Sequence, residues 1–341
     1  LRNSVGSAGR HSFICSVMDM GSLHADLMWW QLTEMRSSGS EMHLITADKM
    51  QRGEYTMIKI KWHQENEPRM HVNTREGVTY LTYPEFDRLP GFVHAFSTRL
   101  GGVSEGTYSS MNLSFTRGDK DEAVRENYRR LADAVGFKME DIVTSDQTHT
   151  ANVRLVTEED RGNGITKPRP YTDVDGMITN VPGLVLATFY ADCVPLYFID
   201  PVHRAIGLSH SGWRGTVAKI GEVTVRRMQE EFGSDPSEIY GAVGPSICQD
   251  CYEVSEDVIE QFRAAFPQDK WDALFYGKPD GKYQLDLWEA NRRILMEAGV
   301  PSKNISVTDI CTKCNPDKLF SHRAMGEKRG NLCAFLALKE R

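Results

Sequence analysis

Leu184-Val-Leu-Ala-Thr-Phe-Tyr-Ala-Asp-Cys-Val-Pro195 and, shortly after it, Ala205-Ile-Gly-Leu-Ser-His-Ser-Gly-Trp-Arg-Gly215 decide how the rest of the chain is read. Each opens on an apolar run of the length of one buried strand and closes on small or turn-forming residues. The first run predicts a strand over Leu184–Phe189 that delivers Cys193 to its end, with Pro195 expected to stop regular pairing. The second predicts a strand over Ala205–Ser209 that does the same for His210. Gly212 and Gly215 then let the backbone turn into a helix, whose N-terminus, with Arg214 beside it, is expected to form an anion site.

Working outward, further β-rich runs fall at Val93–Thr98, Asn152–Val156, Gly176–Thr179, Leu196–Ile199 and Ile305–Thr308. Helical spacing marks Asp121–Val135, Thr216–Phe232 and Asp286–Ala298, the last stopped by Gly299. Strands and helices mingle without a regular βαβ repeat, and no Gly-x-Gly-x-x-Gly or Walker-type loop occurs. The fold class expected is therefore α/β (α+β), one domain with mixed sheets flanked by helices. Residues 1–56 interrupt every periodicity and read as a poorly ordered extension, with Met57 or Met70 as natural starts; residues 57–341 read as the catalytic domain.

Composition narrows the function classes. The 341 residues are 40% hydrophobic and 26% charged, with a net charge of -7, which argues against a broad nucleic-acid surface. No apolar run reaches the roughly 18 to 20 residues of a membrane span. Seven cysteines, an odd number, with no secretion signal read as reduced thiols in the cytoplasm.

His149, in Ser145-Asp-Gln-Thr-His-Thr150, stands 44 residues before Cys193, and His210 stands 17 after it. That spacing is too wide for a zinc finger but suits one site built from successive strand ends. Two imidazoles and a thiolate are what a catalytic zinc takes when its fourth position stays open for water. Taken singly, such a histidine is more often structural and such a cysteine a small buried hydrophobe; the shared placement at strand ends favours a site. His94 lies within a strand and is assigned to structure, and His203 follows the Asp200-Pro201 turn signal and is assigned to solvent.

Other polar residues are candidates for substrate. Arg99, in Ser97-Thr-Arg-Leu-Gly-Gly-Val-Ser104, could clamp a phosphate or carboxylate bidentately. Asn112 offers a donor and an acceptor for a base or ribose. Phe320-Ser-His-Arg323, followed by Lys328-Arg-Gly330, forms a polar strand-and-turn cluster that adds Ser321 and Arg323. Two C-x-x-C pairs, Cys248/Cys251 and Cys311/Cys314, have 59 residues between them, far beyond the roughly 15 to 20 of a zinc ribbon. They read first as reduced loop cysteines, with a structural zinc held by all four as the alternative.

These segments, in this order, resemble the YfiH family, also called the laccase-domain, multicopper polyphenol oxidoreductase or peptidoglycan-editing-factor family. The resemblance rests on Ser97–Ser104, Met111-Asn-Leu113, Gln147-Thr-His149, Ala191–Pro195, His210–Gly215, Gly244-Pro245 with Cys251-Tyr-Glu-Val254, and Phe320–Arg323. It spans roughly residues 78–338. It implies a layered α/β sandwich related to bacterial toxin deamidases, and a zinc held by His149, Cys193 and His210, with copper as the alternative ion. It implies purine nucleoside phosphorylase and adenosine deaminase activity on adenosine, inosine, guanosine or methylthioadenosine. Ser211 stands where alanine is commoner, Thr150 where glycine often follows the histidine, and His322-Arg323 where a tyrosine-arginine pair is usual.

On this reading a metal-activated water serves deamination at C6, Asp192 shuttles the proton, and Arg99 and Arg214 hold phosphate for phosphorolysis. A copper phenol oxidase of laccase type is a second reading. It would need many more histidines; the chain has ten, four of them within the first 63 residues, and no His-x-His pair. A third reading makes Cys193 the nucleophile of an amidase or peptidoglycan-precursor editing hydrolase, with His149 or His210 as base. A non-enzymatic binding module leaves the three convergent ligands unexplained. The partners expected are a nucleoside and phosphate, with no nucleic acid or membrane, in a monomer or small homo-oligomer.

Overall fold

In the computed structural model the described residues are 58–62 and 69–340, together with the backbone of residues 41–42. The expected extension, residues 1–56, lies outside them except for Glu41–Met42, which pairs with Ile60–Lys61.

Two six-stranded mixed sheets carry the fold. In chain order the strands are β1 (His71–Arg75), β2 (Val78–Thr82), β3 (Phe92–Ser97), β4 (Ile142–Thr144), β5 (Val153–Leu155), β6 (Gly176–Thr179), β7 (Val185–Tyr190), β8 (Val194–Asp200), β9 (Ala205–Ser211), β10 (Tyr240–Val243), β11 (Ile305–Val307) and β12 (Leu332–Leu338). One sheet runs β11-β10-β8-β9-β6-β5 and the other β1-β2-β3-β12-β7-β4. Pairs β10/β11, β5/β6 and β4/β7 are parallel, and the remaining pairs are antiparallel. The helices that flank the sheets and the site include α1 (Asp121–Val135), α2 (Trp213–Val217), α3 (Ile220–Phe232), α4 (Glu256–Ala265), α5 (Leu287–Glu297) and α6 (His322–Met325).

Side-chain alternation explains the layering. On β12, Leu332, Ala334, Leu336 and Leu338 enter a core shared with Tyr197, Ile199, Ile206 and Leu208 of the other sheet. Cys333, Phe335 and Ala337 point the opposite way, onto Val124, Tyr128 and Leu131 of α1. The outer face of the first sheet, through Leu196, Phe198 and Val243, packs on α3, α4 and α5. The order is helix, sheet, sheet, helices, as expected of a layered sandwich. Both faces of each central strand are buried, so these strands read as continuous apolar runs.

The register of the β8–β9 hairpin places the chemistry. Val194 pairs with Ser211 and Pro195 with His210, and one more step sets Cys193 beside Gly212. Pro195 thus lies inside a strand and does not end it; lacking an N–H, it still offers its carbonyl to the Gly244 amide at 2.8 Å. The helix expected over Thr216–Phe232 is two helices, because Lys219 takes φ of 54° and breaks it. Phe320–Arg323 opens the one-turn helix α6, not a strand. Among the described residues no helix is long and apolar enough to cross a membrane.

Candidate functional site

Asp175, fully buried just before β6, organises both histidines. Its carboxylate accepts Nδ1–H of His210 at 2.7 Å and the backbone amides of Thr148, His149 and Thr150 at 2.9, 3.1 and 3.0 Å. Three successive amides around one carboxylate require a curled backbone, and His149 accordingly takes φ of 69°. Such a conformation is unfavourable for a bulky residue and persists because the surrounding bonds over-determine it. A carboxylate only accepts, so Nδ1 of His210 carries the proton and Nε2 is left for Cys193 or a metal.

His149, Cys193 and His210 converge: one ligand atom from each lies within 4.8 Å of the others. The imidazole rings meet edge to face at 4.9 Å, and Tyr190 backs His210 from the core at 5.6 Å. Burial opposes ionisation of the Cys193 thiol, yet the His210 charge and hydrogen bonds from both histidines bring it down to about 6. Burial likewise opposes a charge on His210, but Cys193 and Asp175 raise it to about 9. Asp175 resists its own burial through the His210 and amide hydrogen bonds, which hold it at about 2.

This donor set fits a zinc ion. The metal needs a thiolate, and a thiol already depressed to about 6 yields its proton readily near neutrality. Space is reserved as well: a Cβ on Gly212 would lie 3.0 Å from Cδ2 of His149 and 3.1 Å from the Cys193 sulfur.

The triad opens into a cavity of about 620 Å³ whose wall includes Arg117, Arg125, Lys167, Arg169 and Arg329. Arg329 is 9% exposed. Burial and the repulsion of Arg117 lower its pKa to about 10. The Nε atoms of Arg117 and Arg329 are both buried without a hydrogen-bond partner. Arg117 is half-buried and pairs with the Glu327 carboxylate at 3.4 Å, while the buried Arg329 donates to the Gly330 carbonyl at 3.1 Å; the repulsion between the two guanidiniums makes this an anion-seeking wall. Phe115 and Phe189 line the same cavity.

The arginines expected to hold phosphate lie elsewhere, which corrects that expectation. Arg99 donates to the carbonyls of Ser109 and Pro316, each at 2.7 Å, and lies over the Phe320 ring; its fork is spent on joining two loops. Arg214 is exposed and stacks on Trp213 at 4.3 Å, in a helix of only five residues. Neither lines the cavity. Asn112 is fully buried, its oxygen accepting from the Ser114 and Asn331 amides and its nitrogen donating to Ser114 and Asp119, so no valence remains for a base.

Ser321 caps α6 through the Ala324 amide. The Arg323 guanidinium bonds the Cys251 and Glu253 carbonyls. Asp192, expected to shuttle a proton, accepts from the Thr312 hydroxyl and the Arg323 amide, both at 2.6 Å, and its carboxylate is a structural joint. His94 accepts from the Tyr83 amide at 2.7 Å, and His203 faces Asp200 at 2.8 Å. Sequence reasoning did not reach Asp175, Arg117 or Arg329. Asp175 abuts a predicted strand and Arg329 lies in Lys328-Arg-Gly330, which are the signals each carried.

Residues 93–339 match the family described as multi-copper polyphenol oxidoreductase laccase. The chain belongs to this family. Within it, the chain is 40% identical over 249 residues to "Purine nucleoside phosphorylase YlmD" of Bacillus subtilis, covering 73% of this chain and 89% of that protein. It is 36% identical over 240 residues to "Adenosine deaminase RL5" of an unknown prokaryotic organism, covering 70% and 91%. The crystal structure of YlmD from Geobacillus stearothermophilus superposes with a TM-score of 0.74 at 37% identity, covering 80% of this chain and all of that one. The laccase-domain fold is thus shared with the YfiH and YlmD proteins.

Proposed function

We propose that this protein is a cytoplasmic, zinc-dependent purine nucleoside phosphorylase that also deaminates adenosine, acting on adenosine, inosine, guanosine or methylthioadenosine. The observation that carries the reading is the His149–Cys193–His210 cluster opening into a cavity that is also lined by the mutually repelling guanidiniums of Arg117 and Arg329. The names of the relatives support both activities.

His149, Cys193 and His210 would hold the zinc, with Asp175 fixing the His210 tautomer. When bound, zinc supplies Lewis-acid polarisation and lowers the pKa of water at its open position. Arg117 and Arg329 bind phosphate, because both line the cavity and its charge relieves their repulsion. Phe115 and Phe189 give the purine an apolar wall and help exclude water. Phosphorolysis needs phosphate at the anomeric carbon, whereas deamination at C6 consumes water and no phosphate, so one cavity would serve both. The test is incubation of zinc-loaded protein with adenosine, with and without phosphate, separating adenine, hypoxanthine and inosine. Adenine formed only with phosphate, and inosine formed without it, is expected; neither product appearing would sink the proposal.

The Cys193 thiol at about 6 beside a His210 at about 9 also supports a second reading, a cysteine hydrolase. Zinc separates the two. Under the first, Cys193→Ser lowers zinc occupancy and activity together. Under the second, rigorously zinc-free protein keeps full activity until Cys193 is alkylated.

A further inference from the structure

Cys248, Cys251, Cys311 and Cys314, which the catalytic reading leaves unused, bring one sulfur each to within 4.8 Å of one another. Cys248 and Cys311 are buried at 1% exposure, and Cys251 and Cys314 are half-buried. The structure has them as free thiols, with 3.5 Å between the sulfurs of Cys251 and Cys314. Four bonds of about 2.3 Å in a tetrahedron place sulfurs about 3.8 Å apart, so a small adjustment, opening the Cys251–Cys314 pair and closing wider ones, makes the cluster a four-thiolate site. Packing alone does not explain the convergence, since a buried free cysteine behaves as a small hydrophobe with no call for three others beside it.

The backbone is shaped for the task. Gln249–Cys251 is a 3-10 turn in which the Cys251 amide reaches the Cys248 carbonyl at 3.1 Å, folding one C-x-x-C pair into a chelate. The Cys248 amide donates to the Cys311 sulfur at 3.3 Å, a bond that supports a thiolate ligand. Ser246 and Cys311 form a parallel bridge, closed by the Thr312 amide to the Ser246 carbonyl at 3.1 Å. That bridge cancels the 59-residue separation that argued against a metal. It favours the zinc alternative over separate loop cysteines.

We propose that these four cysteines bind a second, structural zinc, independent of the catalytic reading. Four soft thiolates in a closed tetrahedral arrangement select zinc and leave no open position for a substrate. The ion would lock the two loops that position Asp192. The Ile247 amide donates to the Asp192 carbonyl at 3.0 Å, and the Thr312 hydroxyl to its carboxylate at 2.6 Å. Asp192 in turn has φ of 91° and immediately precedes Cys193, so the second metal braces the strand end that presents the first.

The full chain, purified under reducing conditions and desalted, is assayed for metal by elemental analysis. Two zinc ions per chain are expected, falling to one in Cys193→Ala. The zinc that remains should protect Cys251 and Cys314 from alkylation until a strong chelator is added. Cobalt-loaded Cys193→Ala should show intense sulfur-to-cobalt charge transfer, lost in Cys193→Ala/Cys251→Ser/Cys314→Ser. Should that triple variant not fold, metal content and alkylation of Cys193→Ala decide alone. Zinc-free Cys193→Ala after reconstitution, or Cys251 and Cys314 alkylated equally with and without zinc, would overturn the site; iron in its place would overturn the choice of metal.

Discussion

The carboxylate of Asp175 lies 2.7 Å from Nδ1 of His210 while holding the amide of His149 at 3.1 Å. One buried side chain therefore sets the tautomer of one proposed ligand and the backbone of the other. The arrangement joins His149, in the loop between β4 and β5, to His210 near the end of β9, and it makes the geometry of the triad depend on a residue that does not belong to it.

Asp175→Asn keeps the size of this residue but removes the charge and offers only one good acceptor. The His210 ring loses its fixed tautomer, and the three amides compete for the remaining oxygen. Zinc affinity should fall about 10- to 100-fold, the usual worth of such a partner, measured by competition with a chromophoric chelator. Unchanged affinity would show that Cys193 and the histidines are held without it.

Arg329→Met removes a guanidinium at nearly constant apolar bulk. The KM for phosphate should rise about 10- to 100-fold, corresponding to a charged hydrogen bond of roughly 1.5–3 kcal/mol, while phosphate-independent deamination is spared. Arg99→Ala should behave in the opposite way. It loses bonds to the Ser109 and Pro316 carbonyls, costing about 1–2 kcal/mol in urea unfolding, with the phosphate KM unchanged. Equal loss of both activities in Arg329→Met would make that residue structural.

What was legible in the sequence follows from these placements. Local signals carried the β8–β9 hairpin, because apolar runs and turn residues lie side by side, and that hairpin brings Cys193 to His210. β12 escaped notice although it lies at the centre of its sheet: Leu-Cys-Ala-Phe-Leu-Ala-Leu has no β-branched residue and no polar alternation, being buried on both faces. Long-range pairing was equally silent. The Ser246–Cys311 bridge unites cysteines whose spacing spoke against it. Arg99 looked like an anion clamp because a glycine-rich turn says nothing of which distant carbonyls will claim the guanidinium.

Gly212→Ala tests the reserved space. The added Cβ would stand 3.0 Å from the His149 ring and 3.1 Å from the Cys193 sulfur, so one ligand must shift by a few tenths of an ångström. His149 is exposed and gives way first. Zinc binding should weaken roughly tenfold, about 1.4 kcal/mol, with unfolding midpoints nearly unchanged, because the glycine's φ of -72° suits alanine. A large loss of stability with unaltered zinc affinity would refute this account.

His94 makes the fold sensitive to acid at a distance from the site. It is 6% exposed, and its Nε2 accepts from the Tyr83 amide, so the folded protein holds it neutral. Burial is the main cause and lowers its pKa from 6.5 to about 4, against the opposing pull of Asp87. The folded state thus binds fewer protons than the unfolded chain between these values. Its contribution is complete above pH 6.5 and is lost as pH falls toward 4, by roughly 3 kcal/mol at most. Urea unfolding at steps from pH 7.5 to 4.5 should show this decline in the wild type. His94→Gln, whose side-chain oxygen can accept the same amide, should decline less steeply. Parallel pH profiles for the two proteins would place the acid sensitivity elsewhere, in the carboxylates rather than in this imidazole.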